Sequence, residues 1–272
     1  MQREAGTLIR EWFESLRTPV STEARRLGYL YETIALQQRY RRQAASWKSH
    51  VEKCREQTLR AVDLSLPAHS RPLETMLILG SGPLIEVPMK ELLGRFQKIV
   101  LVDFVHPLQV RAKWGREPRV HFVEADLLQL APALLAWNGG ALPEPQPLDL
   151  SVHRADFVLS ANCLSQLPLK PRQHLQIKGK SEAGAEALDA FSEKLSRAHL
   201  QQIRCLKVSH LVIADFETRL LDREGKIIER SQPFFELNDL NLIESWAWAL
   251  APKGEIHRSH SVEMSVGAFS VK

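Results

Sequence analysis

Residues 76–88 read M-L-I-L-G-S-G-P-L-I-E-V-P, and residues 98–103 read K-I-V-L-V-D. Met76, Leu77, Ile78 and Leu79 form a short apolar run of the kind a parallel strand covered on both faces requires. Gly80 and Gly82 follow at once, where a chain turning from strand to helix needs positive φ or close backbone approach to a ligand. Ile99 to Val102 predicts a second buried strand, and Asp103 closes it about 20 residues after the glycines, where nucleoside-binding α/β units carry a ribose-binding acid. Val120-His121-Phe122-Val123 then leads into Glu124-Ala125-Asp126. Three successive strand ends thus carry Gly, Asp and Asp.

The α/β pattern runs on from there. Strands are predicted at 76–79, 98–102, 119–123, 155–159 and 208–214. Pro88 suits the first turn of a late-starting helix and would break a helix interior. The segment 138–150 is Pro-rich and reads as an exposed loop. Between the fourth and fifth strands lies a long insertion, whose helix carries Leu188, Phe191, Leu195 and Ala198. Asp222-Arg223-Glu224-Gly225-Lys226 reads as a hairpin turn that extends the fifth strand into a flap with Ile227 and Ile228. Trp246, Trp248 and Leu250 alternate with small residues, as do Val262, Met264, Val266 and Ala268, so the chain ends on a half-buried antiparallel pair.

The first 65 residues show helical spacing only. Leu8, Ile9, Trp12, Phe13 and Leu16 form one helix, broken at Thr18-Pro19. Ser21 or Thr22 caps the next, through Leu27, Leu30, Tyr31 and Ile34. Tyr40, Ala44, Trp47, Val51 and Cys54 then recur as a core-facing stripe. Residues 1–60 hold 12 Lys and Arg against 7 Asp and Glu, whereas the rest of the chain is near balance at 24 against 25. A solvated helical face and a grip on an anionic partner both answer to that excess.

The totals exclude several classes. With 272 residues, 44% of them apolar and 25% charged, the composition is that of a globular protein. No apolar run approaches the ~18 residues of a membrane span, and the N-terminus lacks the apolar core of a signal peptide. Cys54, Cys163 and Cys205 are odd in number and far apart, which argues against a disulfide framework or structural zinc and for a reducing cytoplasm. The phosphate-loop, dinucleotide G-x-G-x-x-G, zincin and nucleophile-elbow patterns are each missing a required residue, so no metal is expected.

On the glycine loop Leu79-Gly80-Ser81-Gly82-Pro83, Asp103, Glu124-Ala125-Asp126 and the segment Asp156 to Asn162, the chain resembles the class I S-adenosylmethionine-dependent methyltransferases. These are seven-stranded and Rossmann-like. The resemblance covers residues 73–272 and implies five parallel strands followed by an antiparallel pair. Residues 1–66 then form a helical N-terminal lid or extension. The cofactor implied is S-adenosyl-L-methionine: Gly80, Ser81 and Gly82 under the methionine, Asp103 with Phe104 at the ribose, Asp126 with Leu127 at the adenine, and Ser160 facing the methyl group. Where the family has an acid two residues before the first glycine, this chain has Ile78, and Glu86 is the candidate to replace it.

Several residues keep two readings. Asp126 binds the adenine amino group or caps the helix that follows. Asn162 orients the methyl acceptor or forms a turn. His174 is a general base or a helix surface residue. Tyr40, Trp47 and His50, with Tyr29, line the substrate pocket or pack as a stripe. Ser165 and Gln166 are weaker candidates to face substrate, and Asp215 and Glu217 face substrate or a neighbouring Arg. The expected activity is methyl transfer to N, O or S of a small metabolite, chiefly by positioning. The alternatives are an RNA-modifying methyltransferase gripping phosphate with the basic helices, and a catalytically silent nucleoside-binding scaffold.

Overall fold

The computed structural model describes residues 17–65, 73–179, 184–256 and 258–272. The helix expected over Leu8 to Leu16 lies outside them. Ser21 caps α1 (Thr22–Arg26), its hydroxyl accepting from the Ala24 amide at 3.1 Å. Gly28, at φ +83°, turns the chain into the long α2 (Tyr29–Ser65). α2 is broken in one place, Gln43, whose φ and ψ of −108° and 16° are not helical. Arg42 and Gln43 both donate there to the Glu255 carboxylate, at 2.7 and 2.8 Å. The break corrects the expected stripe: Trp47, Val51 and Cys54 are buried, but Ala44 beside the kink is exposed.

The strands are β1 (Leu73–Leu79), β2 (Phe96–Asp103), β3 (Val120–Glu124), β4 (Phe157–Ala161), β5 (Ser209–Leu221), β6 (Ile227–Ser231), β7 (Leu240–Ala251) and β8 (Ser261–Val271). They form one sheet in the order β3-β2-β1-β4-β5-β8-β7, with β6 paired to β5 alone. The first five are mutually parallel, and β8 runs antiparallel between β5 and β7. This is the Rossmann-like arrangement that the sequence implied, with a hairpin added. Asp222 builds that hairpin: its Oδ1 accepts from the amides of Glu224 and Lys226, and Gly225 takes φ +84°. β4 and β5 begin one or two residues later than their apolar runs suggest, and β5 continues seven residues past Ala214 into the flap.

Alternation along β1 shows why both faces must be covered. Met76 and Ile78 join a core with Trp47, Val51, Cys54 and Val62 of α2, with α3 (Met89–Leu93) and with Trp248. Leu77 and Leu79 join the opposite core, with Leu200 and Ile203 of α7 (Ala185–Leu206). All four are fully buried, each worth about 1.5–3 kcal/mol of transfer free energy. A third cluster packs α5 (Ala131–Ala136), α6 (Leu169–Gly179) and α7 together through Leu134, Leu175 and Leu195. α4 (Leu108–Trp114) covers β2 through Val110. The C-terminal half of α2 is thus built into the main core. Its N-terminal half packs Leu30 and Ile34 on Val105, just past the tip of β2.

Candidate functional site at the strand tips

In an open parallel sheet the ligand crevice lies where the strand order reverses, at the carboxyl ends of the strands. Here that is the gap between β1 and β4. The turn leaving β1 is held by Gly80 and Gly82 at φ +67° and +44°. A Cβ on Gly80 would come 2.2 Å from that of Cys163, in the loop leaving β4. Ser81, almost fully buried, places its hydroxyl 3.5 Å from His106 Nδ1. His106 Nε2 meets the Val123 carbonyl at 3.1 Å, so Nε2 carries the hydrogen and Nδ1 accepts from Ser81. Burial pushes the His106 imidazole down to about 4.

Asp103 sits across from that turn. Its Oδ2 accepts from the Gly82 amide at 2.7 Å and its Oδ1 from Val105 at 3.1 Å. The Phe104 amide also bonds this carboxylate, so of its roughly four acceptor positions about one remains for a ribose hydroxyl. Burial raises the Asp103 pKa against the pull of those amides. Tyr29 of α2 shares this space: burial, then Asp126 and Asp103, push its phenol well above the usual range. Phe104 packs against Tyr29, ring centroids 5.0 Å apart.

Two of the other expected cofactor contacts, Leu127 and Ser160, need correction. Asp126 holds the turn entering α5, Oδ1 accepting from Leu128 and Oδ2 from Leu130 and Ala131 at 3.0, 2.7 and 2.8 Å, which leaves about one acceptor position. Leu127 is buried in the α7-side core, its carbonyl taken by Leu148 and Gln202. Ser160 is fully buried and turned toward α7, where its hydroxyl meets His199 Nε2 at 2.9 Å. Parity decides this, because Ser160 shares a strand face with Val158 and not with Leu159.

The contacts of Ser160 form a group with the spacing of a nucleophile and base. Cys163 Sγ lies 3.2 Å from Ser160 and 3.5 Å from His199, and His199 Nδ1 faces Gln202 Oε1 at 3.4 Å. Burial pushes the Cys163 thiol up to about 12 and the His199 ring down to about 4. Both shifts oppose a thiolate–imidazolium pair. The group ties β4 to α7 and is no hydrolytic centre.

His174 lies on α6 and its Nε2 donates to the Leu134 carbonyl of α5 at 3.0 Å, which leaves Nδ1 as the ring's acceptor. Trp47 is a core residue, bonded to the Leu250 carbonyl and packed edge-on against Trp248, with Tyr40 tilted on it. Glu217 pairs with Arg230 at 2.7 Å and with Arg219 at 3.6 Å.

What the fold does bring together surrounds His50, which is 1% exposed. Glu86 Oε1 stands 3.7 Å from its Nε2, and Asn162 Nδ2 3.5 Å. Asn162 adopts φ +51°, a conformation Asn tolerates better than most residues. Trp246 Nε1 donates to His50 Nδ1 at 3.1 Å, and the ring stacks on Trp248 at 3.9 Å. Below them Asp215 accepts from Ser165 at 2.5 Å, with Gln166 beside Ser165. Burial raises the Asp215 pKa. Trp246 and Trp248 are read from sequence only as a packing stripe; their link to a histidine 196 positions away leaves no local signal.

A carboxylate with an acceptor position to spare, facing a glycine turn at the switch point, is compatible with the ribose of a nucleoside cofactor. Tyr29 and Phe104 offer aromatic faces beside it. The fold and site thus define an α/β protein with a glycine turn and a carboxylate meeting at its switch point. No protein-family model and no curated protein matches the chain. Among solved structures it is similar to the DhpI–SAM–HEP complex, at 12% identity and TM-score 0.36 over 91% of this chain and 99% of that one. It is also similar to the N-methyltransferase NodS of Bradyrhizobium japonicum with S-adenosyl-L-homocysteine, at 10% identity and TM-score 0.31 over 78% and 86%. A SAM-dependent methyltransferase of Leishmania major aligns at 12% identity and TM-score 0.35 over 81% and 73%. Similarities this distant add nothing to the strand order already described.

Proposed function

We propose that the chain is an S-adenosylmethionine-dependent methyltransferase acting on a small molecule. The observation that carries this is the Asp103 carboxylate, locked to the Gly82 amide at the β1–β4 switch point with an acceptor position to spare. Asp103 and Gly82 would hold the ribose, Tyr29 and Phe104 would flank the base, and Glu86 is the next acid along the chain from the turn. When bound, the cofactor supplies an electrophilic methyl group on a sulfonium. The chain's own residues have only to bind, orient and exclude water, and alignment supplies much of the rate. α1 and the first turns of α2 serve as the lid, with Gln43 as the break from the anchored half.

The RNA-gripping alternative loses its support in the pairing of the basic helix. Arg42 is held by Glu255, Lys53 by Glu244 and Glu56, Arg55 by the Ile85 carbonyl, and Lys48 by Glu52. The silent-scaffold alternative draws on Ile78, which stands where the resemblance expects an acid. Turnover separates the two: tritium from labelled S-adenosylmethionine should appear in a small product of a metabolite extract. Protection of the chain by the cofactor with no transfer to any extract would favour the scaffold.

A further inference from the structure

Tyr29 opens α2 at the place where the strand tips would receive a nucleoside. Its ring packs on Phe104, with centroids 5.0 Å apart and planes at 60°. That is the separation of rings in direct contact, so no base fits between them as they stand. The phenol end is desolvated and lies in the field of Asp126 and Asp103, the acids at the ends of β3 and β2. One side chain of the protein itself thus fills the space among the two acids and the aromatic ring proposed to hold the nucleoside. The elements carrying Tyr29 are packed down with it. Leu27 is buried with Leu128, Leu130 and Leu134, and Leu30 and Ile34 are buried with Val105. Glu32 pairs with Lys170 of α6 at 2.6 Å.

The same segment is built to come away. Gly28, at φ +83°, and Gln43, with non-helical angles, bound it on either side, so it can tilt without rupturing a continuous helix. Between them Gln38 Nε2 is buried without a partner, a cost that is recovered once water reaches it. The Glu32 side chain is 55% exposed, which makes its pair with Lys170 a weak tie. We infer that Tyr29 is a gate: its ring plugs the nucleoside place, and the segment between Gly28 and Gln43 must tilt before a nucleoside cofactor enters or its product leaves. This rests on the strand tips holding a nucleoside. Ligand then binds no faster than the gate opens, and its apparent affinity is reduced by the fraction of chains that are open. Once the base is seated on Phe104, the Tyr29 ring closes over its other side.

Stopped-flow tryptophan fluorescence of the full chain with S-adenosylhomocysteine tests the gate, because Trp137 packs in the cluster that holds Leu27. In wild type the observed rate should climb with ligand and then level off as opening becomes limiting. Tyr29→Ala should raise that plateau at least tenfold, or abolish it. Glu32→Gln, on an exposed side chain outside the crevice, should raise it about two- to fivefold and decides the matter if Tyr29→Ala fails to fold. A wild-type rate proportional to ligand throughout, or a plateau that neither variant moves, would overturn the gate and leave the nucleoside site standing. A ring that only flanks the base would speed dissociation in Tyr29→Ala and leave the plateau where it was, which also overturns the gate. Binding to Tyr29→Ala but not to wild type would support it, and no binding to any of the three proteins would sink the gate and the nucleoside site together.

Discussion

Gly80→Ala tests how tightly the crevice is built. The new Cβ would lie 2.2 Å from the Cβ and 2.9 Å from the Sγ of Cys163, at a backbone φ of +67°. Left-handed φ costs an L-residue roughly 1–2 kcal/mol. Relieving the overlap needs a shift of over an ångström in Cys163, whose carbonyl holds Gln166 and Leu167 and whose neighbour Asn162 is bonded to Ile213. Overpacking of this kind costs about 1–3 kcal/mol. Lower entropy of the unfolded chain returns about 0.4–1 kcal/mol. The net loss is about 1–5 kcal/mol, read by urea unfolding at equilibrium. Cys163→Ala should not rescue it, because the collision is with Cβ. Cys163→Gly should, leaving mainly the backbone term. A Gly80→Ala protein within ~0.5 kcal/mol of wild type, or strict additivity with Cys163→Gly, would refute the packing described.

Two further outcomes follow from the buried polar groups. His106 and His199 titrate near 4 when folded, against an ordinary 6.5, so the unfolded chain binds protons first and stability falls as pH drops from about 6.5 toward 4. The two together lose roughly 3–4 kcal/mol between pH 7 and pH 5. Asp103 and Asp215, raised by burial, act in the opposite sense, but only as pH approaches the carboxylate range. Unfolding at both pH values checks this, His199→Gln should remove about half the drop, and equal stability at pH 5 and 7 would contradict it. Asp126→Ala should cost about 1–2 kcal/mol as a lost cap, with Asn restoring part; no change in the urea midpoint would show that the cap contributes nothing.

The parallel strands were readable because the apolar runs of β1 and β2 are buried on both faces and need no partner information. The hairpin was equally legible, since Asp222 and Gly225 build it within five residues. The site was legible only where chemistry is local to a turn, at Gly80, Gly82 and Asp103. Ser160 could not be placed, because alternation tells which residues share a face and not which face the ligand uses. Asp126 has the same sequence signature as a cap or as a binding residue, and its bonds to Leu130 and Ala131 are compatible with both. Ala44 leaves the stripe because Glu255, from the far end of the chain, holds the kink at Gln43. The His50 cluster depends on β7, which only the folded sheet brings within reach.

Calorimetric titration of S-adenosylhomocysteine into the wild-type chain and into Asp103→Asn is the most direct check on the crevice. Asparagine keeps the shape and one acceptor oxygen, so the Gly82 turn should survive and the melting temperature should hold. Saturable heat at one site per chain, weakened at least tenfold by Asp103→Asn, is the expected result. No heat from wild type, or the same affinity in both proteins, would mean that this carboxylate does not hold a ribose.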